Sequence, residues 1–282
     1  MSQWIFSGFT DEYAPDFEKQ VAAARQFGMD CIELRNADGV GVAQMTREQV
    51  AGYAKILRDQ GLGVSAVGSP LGKVKLTDDL APHMETARKI FDFAGILNTE
   101  NIRMFSFYAP EGMDWGERRQ RTLDALGQML DIAKQYSVIL CHENEAAIYG
   151  DTPERCLDLL EQFGGELKCV FDMGNFTLEE VDPYRAYHML KPYIRYFHIK
   201  DALAAGAVVP PGKGEAQIRK ILLEHAGSAC APTLITLEPH LQTFDGLNAL
   251  VGGKGFDNPY KYPDCETAFA DAVTKIKELI RL

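Results

Sequence analysis

Four side chains that end apolar runs carry the chemistry this sequence offers. They are Glu143 in "VILCHENE", Asp172 in "CVFDMGN", His198 in "YFHIKD" and Glu238 in "LITLEPH". Burying such groups costs on the order of several kcal/mol unless they are paired or bound to a metal. Taken singly, each has a plain structural explanation: a strand-end Asp caps the next helix, and a lone strand-end His packs. Four in consecutive β units call for more. Three carboxylates converging without a cation would repel one another and be driven toward protonation. A divalent metal ion resolves that. A shell of three oxygens and one nitrogen suits Mn²⁺ first, with Mg²⁺, Co²⁺ or Zn²⁺ as further options.

The elements that must position these groups alternate along the whole chain. "WIFSGF" is followed by "PDFEKQVAAARQFG", "CIEL" by "TREQVAGYAKILRDQG", "GVSAVG" by "APHMETARKIFDFAGIL", and "NIRMFSF" by "GERRQRTLDALGQMLDIAKQY". "VILCHE" leads to "TPERCLDLLEQFG", where Thr152 is placed to cap a helix that opens with Pro153. "LKCVFD", "IRYFHI" and "TLITLE" each precede a further amphipathic stretch. Eight βα units of this length close most simply into a single (β/α)8 TIM barrel spanning residues 1–282, with a doubly wound open sheet as the alternative. In the barrel, all four polar groups share the C-terminal rim. Two connections leaving that rim are long, 68–80 and 239–263. The second, "HLQTFDGLNALVGGKGFDNPYKYP" after Pro239, is aromatic and glycine-rich and reads as a lid.

Composition narrows the function classes. The 282 residues are 46% hydrophobic and 24% charged, enough for a sizeable core, and the formal net charge is −11. That acidity disfavours nucleic acid and anionic membrane, both of which need a cationic surface. "MSQWIFSGFTDEY" lacks the basic start of a signal peptide, and no apolar run is long enough to span a bilayer. The six cysteines are scattered, without a Cys-x-x-Cys pair, which fits a cytoplasmic protein and argues against a zinc-thiolate site.

"ENE…YGDTPE", "FDMGNF", "LKPYIRYFHIKDA", "VVPPGKGEAQI" and "LEPH", with the weaker "GFTDEYAPDFEKQ" and "CIELR", resemble the xylose isomerase-like TIM barrels. That superfamily includes sugar isomerases and epimerases, ketose 3-epimerases, inosose dehydratases and isomerases, and endonuclease IV. The resemblance covers nearly the whole chain. It implies that Glu143, Asp172, His198 and Glu238 are the metal ligands, and that Glu143 and Glu238 are also the catalytic acid/base pair. It further implies a small keto sugar or derivative as substrate and a homo-oligomer, dimer or tetramer, as assembly. The DNA-repair branch needs a three-zinc cluster with several more histidines, including one where Asn175 stands; this acidic chain has six histidines in all, three of them (His83, His188 and His225) on helices.

The implied chemistry is physically coherent. The metal stabilises negative charge on a carbonyl oxygen while a proton leaves the adjacent carbon, giving an enediolate. One Glu takes that proton and the other returns one to the opposite face or a neighbouring carbon. If a β-leaving group departs instead, the same machinery makes a lyase or dehydratase, acting on an inosose or 3-keto sugar. A sugar-binding barrel without activity would need no acid/base pair. Substrate-contacting candidates are Asn175, Lys73, Arg103, His240 and Lys200. Asn175 departs from the ketose 3-epimerases, which commonly carry His there, and its other reading is a turn-shaping residue. Lys200 with Asp201, and Glu33 with Arg35, read as rim ion pairs. Within "CHENE", His142 should face the helices, Asn144 should fix the turn and Glu145 should lie in the loop.

Overall fold

The computed structural model describes residues 3–242 and 259–281. Its frame is eight strands: β1 Trp4–Gly8, β2 Cys31–Leu34, β3 Gly63–Gly68, β4 Asn101–Met104, β5 Ile139–Glu143, β6 Lys168–Asp172, β7 Ile194–Ile199 and β8 Thr233–Leu237. They form one parallel sheet in the spatial order β1-β8-β7-β6-β5-β4-β3-β2. Between β1 and β2 the residue Asp30 completes the ring. Its backbone N–H donates to Phe6 O, and its carboxylate accepts from Phe6 N–H, both at 2.8 Å. The sheet is therefore a TIM barrel, and the open doubly wound alternative is ruled out.

Helices α1 Phe17–Gln26, α2 Arg47–Asp59, α3 Ala81–Leu97, α4 Trp115–Ala133, α5 Pro153–Gln162, α6 Met173–Leu178, α7 Pro183–Leu190, α8 Ile218–Ser228 and α9 Cys265–Ile280 connect and flank the strands. Their starts follow local capping chemistry. Thr46 and Gln49 form a reciprocal capping box on α2, and Thr152 accepts from Arg155 N–H ahead of Pro153 on α5. Two apolar layers result. The larger lies between strands and helices and includes Phe17, Ile32, Ile90, Leu126 and Leu159. The smaller, Ala66, Cys141, Val170 and Tyr196, fills the barrel interior. Strand alternation sets these layers: Cys141 faces inward, whereas His142 faces out and bonds Ser106 Oγ at 2.9 Å. All six cysteines are free thiols.

Three local features were not expected from the sequence. The short helix α6 begins directly after β6, capped by Asp172 itself. Two small antiparallel hairpins, within 36–41 and 201–209, decorate the C-terminal ends of β2 and β7. Asp201 is no partner of Lys200 in the contacts observed. Its carboxylate gathers the backbone N–H groups of Ala202, Gly212, Gly214 and Ala216 at 2.7–3.1 Å, shaping the "PPGKGEA" loop. A Cβ at Gly214 would lie 2.2 Å from Asp201 Oδ1, so the loop requires glycine there. In the connection after β3, Gly72 has φ +86° and a Cβ would lie 1.9 Å from Phe105 O, again excluding any side chain. Of the expected lid at 239–263, residues 243–258 lie outside the described residues.

Candidate metal centre and active site

Strand register brings the four strand-end groups together. Asp172 and His198 are direct neighbours on β6 and β7. Glu238, one residue past β8, extends the ladder by donating its N–H to Ile199 O at 3.0 Å. One ligand atom from each of Glu143, Asp172, His198 and Glu238 lies within 4.8 Å of the other three, and all four residues are buried. His198 Nδ1 is 2.8 Å from Glu143 Oε1 and 3.4 Å from Glu238 Oε2. Asp172 Oδ1 accepts from Asn175 N–H at 2.8 Å. Its Oδ2 is buried without a hydrogen bond, 3.0 Å from Lys200 Nζ.

Three buried cations surround the cluster. Arg103 reaches Glu143 Oε2 at 3.3 Å and Glu238 Oε1 at 3.8 Å, and also donates to the carbonyls of Gly68 and Ser69. Arg35 binds Glu238 Oε1 at 2.9 Å, both oxygens of Asp11, and Glu12 at 3.3 Å. Lys200 Nζ lies 3.4 Å from Glu238 Oε2. The ring of Phe9 packs against both guanidiniums, 4.1 Å from Arg35 and 5.1 Å from Arg103, and meets His198 edge-on. Six buried carboxylates (Asp11, Glu12, Glu33, Glu143, Asp172 and Glu238) thus face three permanent cations, Arg35, Arg103 and Lys200.

Burial and these charged neighbours together perturb the titrating groups. Burial pushes Asp172 up to about 7 although Lys200 draws it down, and burial pushes Glu12 up to about 8 against the pull of Arg35. Burial also opposes ionisation of Glu143, but His198 and Arg103 outweigh it and hold the carboxyl below its ordinary value. Glu238 is held well below its ordinary value, burial being overcome by Lys200, His240 and His198. The charged form of His198 is disfavoured by burial, yet Glu143 and Glu33 raise it well above its ordinary value. A divalent cation fits such a site. The donors are three carboxylate oxygens and one imidazole nitrogen, and the buried carboxylates outnumber the permanent cations around them.

The candidate substrate contacts fall into three settings. Arg103, Lys200 and His240 touch the carboxylates of the cluster; His240 Nε2 is 3.4 Å from both Glu12 Oε1 and Glu238 Oε1. His240 also has φ +47°, in the left-handed region, and its N–H donates to Glu12 Oε2 at 2.8 Å. Lys73 sits at the rim, 3.2 Å from Glu145 Oε2 and above the Phe105 ring, tying the loops after β3 and β5. Asn175 lies behind the cluster. Its side-chain amide donates to Asn144 O at 2.8 Å, while Asn144 exchanges two hydrogen bonds with the Asp172 backbone. These amides clamp the ends of β5 and β6.

Sequence reasoning gave no site role to Asp11 or Glu12, and read Glu33 with Arg35 as a rim ion pair. Glu33 instead lies inside the barrel, accepting from Tyr196 OH and contacting His198 Nε2, each at 3.1 Å. The signal that could have found it is parity: Glu33 follows Cys31 by two residues on an apolar strand, as Glu143 follows Cys141.

The family model of the xylose isomerase-like TIM barrel matches residues 21–229. The chain belongs to that family. A 3-dehydroshikimate dehydratase of Bacillus anthracis is 21% identical over 190 residues, 67% of this chain and 68% of that protein. The crystal structure of a probable 3-DHS dehydratase from the same organism superposes with a TM-score of 0.74 at 18% identity, covering 96% of this chain and 98% of the other. A D-allulose 3-epimerase from Methylomonas sp., in complex with D-allulose, matches with a TM-score of 0.72 at 16% identity, covering 98% and 96%. A family member from Mycobacterium smegmatis in complex with magnesium matches with a TM-score of 0.69 at 15% identity, covering 100% and 99%. Both epimerases and dehydratases thus occur among the barrels this chain resembles. No helix among the described residues is long and apolar enough to cross a membrane.

Proposed function

We propose that this protein is a divalent-metal-dependent isomerase or epimerase that moves a proton next to the keto group of a sugar or sugar derivative. The observation that carries this reading is the convergence of Glu143 and Glu238 on one imidazole nitrogen, with Asp172 alongside. Glu143, Asp172, His198 and Glu238 would hold the ion, which when bound would draw electron density from a carbonyl oxygen and so acidify the adjacent C–H.

The protein's own residues do the rest. Glu143 and Glu238 come from β5 and the end of β8, non-adjacent positions on the ring, so they can address two faces of a flat intermediate. Both are held ionised, so either can take the proton and return it to a neighbouring carbon. Inversion also requires the other Glu to have picked up a proton from solvent for the opposite face. Arg35 and Arg103 fix Glu238 through Oε1, which leaves Oε2 on the side of His198 and Lys200. Lys200, raised far above its usual range after burial is outweighed by Asp172 and Glu238, keeps its proton and supplies positive charge beside developing oxyanions.

A second reading is favoured by the sequence match to a 3-dehydroshikimate dehydratase. Here one Glu removes the proton and, now protonated, delivers it to a departing β-hydroxyl, releasing water. The test is incubation with Mn²⁺ or Mg²⁺ in deuterated water against a panel of ketoses, inososes, 3-keto sugars and 3-dehydroshikimate. Deuterium incorporation with no mass loss beyond exchange is the expected result. Loss of water to an ultraviolet-absorbing product would establish the lyase instead. Metal-loaded protein that exchanges no proton on any of them would overturn both readings in favour of a sugar binder.

A further inference from the structure

We infer that Glu33 is a positioning residue that fixes the tautomer and orientation of His198, so that Nδ1 faces the metal cluster. This rests on the metal reading above. Glu33, Tyr196 and His198 are all buried in the barrel interior. Glu33 Oε2 lies 3.1 Å from His198 Nε2, and Glu33 Oε1 accepts from Tyr196 OH at 3.1 Å. A carboxylate only accepts hydrogen bonds, so it demands a proton on Nε2. Nδ1 faces the carboxylates of Glu143 and Glu238. Once an ion occupies the cluster it is therefore Nδ1 that gives up its proton and offers its lone pair, while Nε2–H stays on Glu33. Tyr196 is one strand position below His198 on the same inward face of β7 and occupies the second oxygen, which keeps the carboxylate from turning away. A carboxylate behind a ligating imidazole in this way also raises its basicity, and losing such a partner typically costs about 10–100-fold in metal affinity.

Calorimetric titration of the full chain with Zn²⁺ or Mn²⁺ tests this, with folding checked by circular dichroism. Glu33→Leu should lose about 10–100-fold in affinity. Glu33→Gln, which can still accept from Nε2–H but lacks the charge, should lose less, and Tyr196→Phe least. If Glu33→Leu does not fold, the Gln variant and the ¹⁵N spectrum of Zn²⁺-loaded wild type decide. That spectrum should show His198 protonated at Nε2 and metal-bound at Nδ1. Ser65→Ala, a buried polar deletion elsewhere in the barrel, should leave the affinity unchanged. Folded Glu33 variants that bind metal like wild type, or ligation through Nε2, would overturn the inference while leaving the metal reading intact. Wild type that binds no divalent ion would overturn both.

Discussion

The two ends of this barrel bury polar groups in opposite ways. At the N-terminal end the groups are neutral and serve one another. Ser7 Oγ and Ser65 Oγ lie 2.7 Å apart, Ser65 Oγ also donates to Ile32 O, and Ser65 O accepts from Thr99 and Asn101. A cavity of about 920 Å³ opens at this end beside Cys31, Asn101 and Thr233, and its charged lining, Arg195 and Glu100, pairs at the solvent edge. At the C-terminal end, carboxylates outnumber cations, and two of them are pushed toward protonation by burial. Neutral pairs stabilise a barrel at little electrostatic cost. An unbalanced charge cluster does not, and a bound cation of the kind proposed above would relieve it. The proposed chemistry is therefore placed at the charged end.

The largest expected effect comes from altering that charged end without changing its shape. Glu143→Gln or Glu238→Gln should lower turnover by about 10²–10⁴-fold or more, as expected for removal of a positioned acid or base. Metal affinity should weaken to a lesser degree. Steady-state assays on the substrate found in the exchange screen measure both, and near-normal activity in either variant would sink the assignment.

Metal removal gives the next effect, through pH. In the folded, metal-free chain Asp172 and Glu12 titrate at about 7 and 8, against ordinary values of 3.8 and 4.5. The folded chain thus keeps protons that the unfolded chain has released, and stability from these groups falls as pH rises across that window. His198, raised well above 6.5, acts in the same direction: its contribution is complete below 6.5 and is lost as pH rises through its folded value. Glu143 and Glu238, depressed below 4.5, add stability above that value and lose it only in stronger acid. Chelated protein should therefore melt at a lower temperature at pH 8 than at pH 5.5, and a divalent ion should raise Tm more at pH 8. A chelated Tm that is flat or rises over this range would show that the charged end is not under-neutralised.

Much of this was legible in the sequence because barrel units are local. Helical periodicity and caps such as Thr46 and Thr152 mark each βα unit, and the inward parity of Cys141 and Glu143 needs only five residues. Four consecutive units with a polar strand end then define one rim. What was not legible depends on partners far apart in the chain. Arg35 meets Glu238 across 203 positions and His198 meets Glu33 across 165, and closure of the ring, not local propensity, makes those pairs. The same holds for competition among partners. Asn175 and Lys200 are both polar residues next to ligands, yet one amide is used by the backbone of Asn144 while the lysine enters the cluster. Nothing in their types distinguishes these outcomes. The helix α6 was missed because "MGNFTL" is too short for periodicity to register.

The smallest effect is expected at the neutral end, and it sharpens the contrast most directly. Ser65→Ala removes a hydroxyl that bridges Ser7 Oγ and Ile32 O, while the backbone carbonyl that serves Thr99 and Asn101 stays. A buried hydroxyl that loses its partner costs about 1–3 kcal/mol, so Tm should fall by several degrees. Because the pair is uncharged, that loss should be nearly independent of pH between 5.5 and 8. Metal affinity and turnover should not move. A Ser65→Ala protein with weakened metal binding, or with a stability loss that grows with pH, would mean that the two ends are coupled through the barrel interior, and that the charge imbalance at the mouth is partly carried by the floor.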